Sequence, residues 1–346
     1  MITESIKLTN KLLLIFAAVL ALYILKVLSF IFVPLAFACF LSILFLPFTR
    51  WANKRNMPKY VSIVLSLTIM AIVLFAAFEI IKLSGKEILE GRAEMYQRLD
   101  EKFGNAAEPV AQLLNIDFSR EDGIINGILH NSDISKALVN QVGSWLGTIK
   151  DFSMTLCTTI LFLILILAGS VNFKLVMQET LIKRPQQISE VFWRIEKSIS
   201  KFVCVKIATS FLTGLLFGIT AWAFGISFPI LWGILAFSLN FIQVLGSIIV
   251  TVAVSVMAII DITHPGAMLA TIILFIAIQV VVGSVLEPIL MGKSFKINIV
   301  AVLIMLMFWG FLWGIAGMVL AIPMAVLTKI LCEQFPQTQG IARIMS

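Results

Sequence analysis

Polar side chains that could bind a solute or a cation stand inside long apolar stretches of the sequence. Asn240 and Gln243 lie in the middle of the apolar run 228–260, and Glu287 follows the apolar run 267–286. An amide that faces hydrocarbon leaves its donors and acceptors unpaired at a cost of roughly a few kcal/mol. Both amides should therefore face protein or water, and the Glu287 carboxyl could bind a cation, a proton or a solute hydroxyl.

The residues around Glu287 extend this candidate site. Gln279 and Gly283 precede Glu287 at four-residue steps, so the three share one narrow stripe of a helix. Pro288 then ends the regular hydrogen bonding and frees carbonyl oxygens near the carboxylate. The alternative is that Glu287 only forms an ion pair with Lys293 at the membrane interface.

Two apolar runs, 228–260 and 297–331, carry polar or glycine residues at their centres. These are Asn240, Gln243 and Gly246 in the first run and Gly310, Gly314 and Gly317 in the second. Each half of such a run reaches only about 20 Å, short of the ~30 Å hydrocarbon core. Irregular backbone at that depth must be buried in protein or line a watery cavity, as in transporter binding sites. We predict two broken or re-entrant runs; a long tilted helix with a glycine packing face is the alternative.

Patterns for catalysis, metal binding and nucleotide hydrolysis are absent from the sequence. HExxH and GxSxG motifs are missing, and the two histidines are isolated. The segment Gly292-Lys293-Ser294 lacks the first glycine of a phosphate-binding loop. The four cysteines are scattered, which is typical of small buried apolar residues. We therefore predict no catalytic residue, no metal site and no cofactor.

The composition requires lipid as the solvent for most of the chain. Of 346 residues, 60% are hydrophobic and 13% charged, against roughly a quarter charged in soluble domains. The net charge of +7 comes from short loops beside apolar runs, so it indicates membrane orientation and not a nucleic-acid partner. The fold predicted is an all-α polytopic membrane protein with about six to eight membrane helices.

Residues 1–82 are predicted to form three N-terminal membrane spans. The run 12–48 is too long for one crossing, and Lys26, Ser29 and Pro34 interrupt it, so we divide it into a tight helical hairpin. Four basic residues between 50 and 59 are not balanced by an acid, which favours a cytoplasmic loop.

An extramembrane helical insert is predicted for residues 83–150. It holds seven basic and ten acidic residues, and its net negative charge permits an exterior location. We expect helix breaks at 104–109 and 115–119, and another helix with an apolar stripe over 134–152. This stripe and the apolar positions over 88–103 need a partner, which favours a homo-oligomer.

The remaining chain divides into four parts by composition. We predict a fourth span at 151–172, a cytoplasmic amphipathic helix at 173–204, a transport core with broken helices at 205–335 and a cytoplasmic tail at 336–346. If both broken runs are re-entrant, Lys293 and Lys296 lie inside and Asp261 outside; eight full crossings would reverse these sides. The carboxyl terminus is cytoplasmic in both topologies.

Short motifs in the C-terminal half resemble the autoinducer-2 exporter family. They are Phe228-Pro229, Trp232-Gly233, Leu239-Asn240-Phe241-Ile242, Gly246-Ser247, Glu287-Pro288-Ile289-Leu290-Met291-Gly292-Lys293, Phe308-Trp309-Gly310, Gly314-Ile315-Ala316-Gly317 and Ile322-Pro323. The resemblance implies a multi-pass transporter of the bacterial cytoplasmic (inner) membrane and a homo-oligomer, with a ring of five subunits as one form. It also implies export of the quorum-sensing furanone autoinducer-2, or exchange of sodium or lithium for protons. Relatives carry a proline soon after the asparagine, where this chain has Gln243.

These observations predict a secondary transporter, not an enzyme, that exports a small polar solute. The alternatives are a sodium or lithium/proton antiporter and a non-transporting membrane scaffold. The predicted partners are a small molecule or ion, the lipid bilayer and further copies of the chain. The predicted transport pathway consists of Asn240, Gln243, Gly246, Gln279, Glu287, Pro288, Gly292, Lys293, Gly310, Gly314 and Gly317.

Overall fold

The computed structural model describes residues 2–55, 58–113, 153–169, 185–292, 297–334 and 337–345. Within these ranges the chain is helical and contains no strand. The helices are α1 Ile2–Val27, α2 Ser29–Lys54, α3 Lys59–Leu113, α4 Ser153–Gly169, α5 Pro185–Ala223, α6 Pro229–Leu239, α7 Leu245–Asp261, α8 Pro265–Gln279, α9 Glu287–Met291, α10 Ile299–Gln334 and α11 Gln339–Ile344; a π-helix, Val280–Leu286, joins α8 to α9. The predicted all-α membrane fold is confirmed.

Four helical segments in the described part of the chain are long and apolar enough to cross a membrane. They are Ile63–Ile88, Glu190–Ala223, Pro265–Met291 and Ile299–Gln334. The chain divides into two compact units, and each is described by itself. The first contains Met1–Leu67, Met154–Val203 and Lys293–Ser346, and the second contains Thr68–Ser153 and Cys204–Gly292.

Helices α1 and α2 meet at a corner in the first unit. The long N-terminal run divides at Leu28, between Lys26 and Ser29 as expected, but the two helices bend by 83°. The connection is therefore a right-angle corner and not the tight hairpin that we predicted. The Trp313 indole donates a hydrogen bond to the Leu25 carbonyl (3.1 Å), and the Lys26 ammonium lies 3.8 Å from the Phe311 ring centre. These contacts fix the corner against α10.

Helices α3 and α5 are longer than the sequence pattern indicated. The 55 residues of α3 continue through 104–109, so the break predicted there is wrong. Ala106, Ala107 and Glu108 favour helix, and the helix continues through Pro109 although proline removes one backbone hydrogen bond and crowds the preceding turn. The 39 residues of α5 join the predicted amphipathic helix and the following span in one element. The breaks and helix predicted over 115–152 lie outside the described residues.

Helices α6 and α7 form a hairpin, which confirms the break predicted in the run 228–260. The backbone N–H of Ser227 donates to the Asp261 carboxylate (2.6 Å), so both ends of the hairpin meet. The tip, residues 240–244, contains Val244 at φ 63°, a strained conformation for a β-branched residue. At Gly246 a Cβ would overlap the Leu239 carbonyl oxygen, so only glycine allows the two helices to approach there.

Helix α10 also folds back at its centre, which confirms the second predicted break. Gly314 has φ 60° and ψ −141°, a region that is accessible essentially only to glycine. A Cβ at Gly317 would overlap the Trp309 carbonyl oxygen, although residues eight apart in a straight helix are about 12 Å apart along the axis. In each broken run, a glycine of the second half therefore packs directly against a carbonyl group near the end of the first half.

The core of the second unit is apolar and depends on close backbone packing. Phe217, Val254 and Phe275 are fully buried, and the rings of Phe217 and Phe275 lie 4.9 Å apart. At Gly214 of α5, a Cβ would lie 2.6 Å from the Gly233 carbonyl oxygen of α6. Small residues of this kind allow membrane helices to pack closely.

We expect Gly214→Ala to lower the thermal unfolding midpoint of the detergent-solubilised protein. The added methyl group forces α5 and α6 apart, and overpacking of this kind costs about 1–3 kcal/mol. Gly85→Ala is the matched control, because nothing lies within 4 Å of the new Cβ at that helical position. An unchanged midpoint for Gly214→Ala would mean that the two helices are not in tight contact.

Candidate solute site in the second unit

Helix α5 carries a stripe of buried polar side chains across an apolar segment. Lys206, Thr209, Ser210 and Thr213 are spaced three and four residues apart, so they share one helix face. All four are at most 2% exposed. The apolar residues on the other faces direct this stripe toward the interior of the unit.

Glu287 meets this stripe from the first turn of α9, directly after the π-helix. Its side chain is buried, and both of its carboxylate oxygens lie 3.0 Å from the Lys206 Nζ. The Thr209 hydroxyl lies 3.4 Å from Oε2 of the same carboxylate. The candidate acid therefore has a basic partner inside the protein and does not depend on Lys293 for one.

The tip of the α6–α7 hairpin completes the cluster. The Gln243 Oε1 accepts a hydrogen bond from the Lys206 Nζ at 3.0 Å. The buried Asn240 amide donates to the Ser210 hydroxyl at 3.0 Å, and its oxygen accepts from the Ser247 hydroxyl at 3.2 Å. Both amides in the middle of the apolar run thus face protein, as the sequence predicted. We call Lys206, Ser210, Asn240, Gln243 and Glu287 the polar cluster.

The polar cluster combines opposite charges with neutral hydrogen-bonding groups. An ammonium or carboxylate taken out of water costs several kcal/mol unless it is paired and hydrogen-bonded. Lys206 and Glu287 meet this condition, and together they carry no net charge. Ionisable residues in membrane segments usually mark the route of a solute or ion. This arrangement can therefore offer both donors and acceptors to a small polar solute.

The structure brings only part of the predicted pathway together. Asn240, Gln243 and Glu287 belong to the polar cluster, and the half-buried Gln279 lies two turns before Glu287. The Gln279 oxygen accepts no hydrogen bond from the described part of the chain. Gly246 supports the hairpin tip, Pro288 is exposed, and Gly292 ends α9 at φ 65°. The three glycines 310, 314 and 317 belong to the first unit, and Lys293 lies outside the described residues.

Sequence reasoning missed two members of the polar cluster, Ser210 and the ion-paired Lys206. The basic side chain of Lys206 was taken, like the other basic residues beside apolar runs, as an orientation signal. The sequence did contain a signal for Lys206. Thr209, Ser210 and Thr213 follow it at helical spacing and extend a polar stripe into the span.

A second polar group closes the open end of the α6–α7 hairpin. The buried Asp261 carboxylate accepts hydrogen bonds from the Ser227 hydroxyl (3.1 Å) and from the Arg98 guanidinium of α3 (3.3 Å). The Glu87 carboxylate accepts from the first backbone N–H groups of α6 at 3.3 and 3.4 Å, where a negative charge stabilises the helix. Asp261 therefore connects α3 to the hairpin.

We expect Asp261→Ala to lower the thermal unfolding midpoint in detergent by the equivalent of about 1–3 kcal/mol, because it leaves two part-buried donors of Ser227 unpaired. Arg98→Ala should cost less, since the Arg98 side chain is 34% exposed. Lys82→Ala is the control, because the Lys82–Glu79 ion pair is exposed. Equal midpoints for Asp261→Ala and Lys82→Ala would contradict this role of Asp261.

Comparison with known proteins identifies the family of the chain. The family model described as AI-2E family transporter matches residues 12–337. The chain belongs to the AI-2E transporter family. The AI-2 transport protein TqsA of Escherichia coli K12 is 28% identical over 325 residues, which cover 91% of this chain and 89% of TqsA. A Haemophilus influenzae protein, provisionally named a transport protein, is 27% identical over 347 residues. These residues cover 99% of this chain and 97% of that relative.

Membership in the AI-2E family confirms the predicted resemblance over nearly the whole chain. It also confirms that the protein is a membrane transporter and not an enzyme. Among the described residues, no group of three His, Cys, Asp or Glu side chains is positioned to hold a metal ion.

Proposed function

We propose that this AI-2E transporter exports a small polar solute across the bacterial cytoplasmic membrane and binds it at the polar cluster. The observation that carries the proposal is a buried lysine–glutamate pair that contacts the tip of a broken apolar run. The eleven residues of α6 reach about 16 Å, roughly half of the hydrocarbon thickness. A tip at this depth provides polar groups where a solute crossing the membrane has no water.

An autoinducer-2-like molecule is the solute that we favour. The name of the TqsA relative supports this choice, since it states AI-2 transport. The chemistry of the polar cluster supports it as well. Hydroxyl groups of a solute can donate to the Glu287 oxygens and accept from Lys206, and an uncharged solute adds no charge to a buried site that is already neutral.

Exchange of sodium or lithium for protons is the second candidate, and the buried Glu287 carboxylate is the observation that favours it. However, Lys206 already contacts both oxygens of this carboxylate at 3.0 Å. A cation would have to displace the ammonium and would then leave two positive charges in one buried site. This cost makes export of a neutral solute the better-supported function.

Flux through proteoliposomes that contain only this protein tests the proposal. We expect efflux of loaded autoinducer-2 well above that of empty liposomes, and no sodium- or lithium-dependent change of internal pH. Cation-driven pH changes without solute efflux would support the antiporter. The absence of both fluxes would contradict the proposed solute and the antiporter alike.

The proposal includes a topology in which both broken runs are re-entrant. With the basic loop before α3 in the cytoplasm, α3 carries Arg98 to the outside, and the Arg98–Asp261 contact supports an outside position for Asp261. The backbone N–H of Asn298 donates to the Met345 carbonyl at 2.9 Å. This contact supports a common, cytoplasmic side for the start of α10 and the carboxyl terminus. Assembly into a homo-oligomer stays a prediction.

We expect an impermeant thiol reagent applied to intact cells to label a single cysteine at position 263, next to Asp261, but not one at position 296. Thr263 is exposed, so the reagent can reach that position from outside. The variants are made in a background without the four native cysteines, and permeabilised cells serve as the control for labelling at 296. Labelling at 296 in intact cells would contradict the re-entrant topology.

A further inference from the structure

The second unit leaves regular α-helical geometry at two internal segments that adjoin the polar cluster. The first is the hairpin tip, residues 240–244, where Val244 adopts φ 63°. The second is the π-helix Val280–Leu286, which leads directly into Glu287. Single π-helical turns are rare and occur mostly at functional sites. Strained backbone of this kind persists only where surrounding contacts hold it in place.

One side chain bonds both the hairpin tip and the residue that directly follows the π-helix. The Lys206 Nζ lies 3.0 Å from the Gln243 Oε1 in the tip and 3.0 Å from both oxygens of Glu287 after the π-helix. An ammonium group has three donor protons and no acceptor, so these three contacts use its full bonding capacity. The Lys206 side chain is 2% exposed, and water therefore offers no substitute for a lost contact.

We propose that Lys206 is a positioning residue that couples the hairpin tip to the π-helix, and that the transported solute replaces it at Gln243 and Glu287. The proposal rests on the proposed function, because it assigns the solute to the same polar cluster. In the unloaded site the ammonium donates to the oxygens that solute hydroxyl groups would otherwise bond. Binding of the solute transfers the bridge between the tip and Glu287 from Lys206 to the solute, and return of the ammonium expels the solute.

The same exchange defines the chemical class of the solute. To replace the ammonium, a solute must donate hydrogen bonds to the Glu287 carboxylate and to the Gln243 oxygen at once. It must also accept a hydrogen bond from the displaced Lys206, since a buried ammonium without an acceptor is costly. An uncharged molecule with neighbouring hydroxyl groups satisfies all three conditions. A molecule with carbonyl groups alone does not donate, and a cation adds a second positive charge.

Hydrogen–deuterium exchange of the solute-free protein in detergent tests the coupling. Gln243→Ala removes one contact of Lys206 and leaves the Lys206–Glu287 pair, so the fold is retained. We expect exchange to rise at least about threefold in peptides that cover 240–246 and also in those that cover 280–287. Ser247→Ala is the matched control, because Ser247 bonds Asn240 and not Lys206; its effect should be confined to 240–247. A rise confined to the tip in Gln243→Ala overturns the coupling.

Transport kinetics test the exchange between ammonium and solute. In proteoliposomes with autoinducer-2 as the probe, the double variant Lys206→Gln/Glu287→Gln keeps a neutral hydrogen-bonded pair. We expect its kcat to fall at least about tenfold while its KM stays within about threefold of the wild type. A wild-type kcat would overturn the exchange and leave the pair a structural one. If the wild-type protein does not carry autoinducer-2, the proposed solute is wrong, while the deuterium exchange still decides the coupling.

Discussion

Glu287→Gln is expected to reduce efflux of autoinducer-2 from proteoliposomes by roughly a hundredfold. The substitution keeps the size of the side chain but removes the charge that pairs with Lys206 and accepts from solute hydroxyl groups. A hydrogen bond to a charged group contributes about 1.5–3 kcal/mol, and each ~1.4 kcal/mol changes a rate about tenfold. Asn240→Ala, which removes the contacts to Ser210 and Ser247, should reduce efflux by about tenfold on the same scale.

Flux should be normalised to the amount of monodisperse protein, so that loss of folded protein is not counted as loss of transport. Glu79→Gln is the matched control, because Glu79 is an acid of the α3 span whose only described ion pair, with Lys82, is exposed; its flux should stay near the wild-type value. Normal flux in both Glu287→Gln and Asn240→Ala would remove the polar cluster from consideration as the solute site.

Lys206→Met is expected to be the most destabilising single substitution in the second unit. It leaves the buried Glu287 carboxylate without its cation, and removing one partner of a buried ion pair costs about 3–5 kcal/mol. Tryptophan fluorescence during thermal or denaturant unfolding in detergent would measure the loss. The large effect follows from burial, since both side chains are at most 3% exposed.

The double variant Lys206→Met/Glu287→Met separates stability from function. Replacing both members of a buried pair by apolar residues of similar volume is often neutral or stabilising. We expect the double variant to recover the wild-type unfolding midpoint and to remain inactive in flux. A double variant as unstable as Lys206→Met, or one that transports normally, would contradict the assignment of this pair to the solute site.

The membrane fold and both broken runs could be predicted from the sequence because each has a local cause. Long apolar runs require lipid, and Asn240 or Gly314 in the middle of such a run interrupts it. The direction of the chain after each break is not a local property. Whether a run continues or folds back depends on contacts such as Ser227 with Asp261, which join residues 34 positions apart.

The polar cluster was only half predicted for a similar reason. Asn240, Gln243 and Glu287 are recognisable because polar groups are rare in apolar sequence. Lys206 follows several other basic residues at the edge of a span, where a positive charge is usually an orientation signal. Its true partner lies 81 residues later in the chain, and helical periodicity contains no information about which distant charges will meet. Contacts between elements decide this pairing, and those contacts follow from the tertiary structure.

The neutrality of the lysine–glutamate pair has a consequence for the driving force of export. Each elementary charge that crosses a membrane gains or loses about 2.3 kcal/mol per 100 mV of electrical potential. A neutral molecule bound between one ammonium and one carboxylate moves no net charge, so the voltage across the cell membrane does no work on it. In the proposed site, the concentration ratio of the solute on the two sides would therefore drive export, and the membrane voltage would not change its rate.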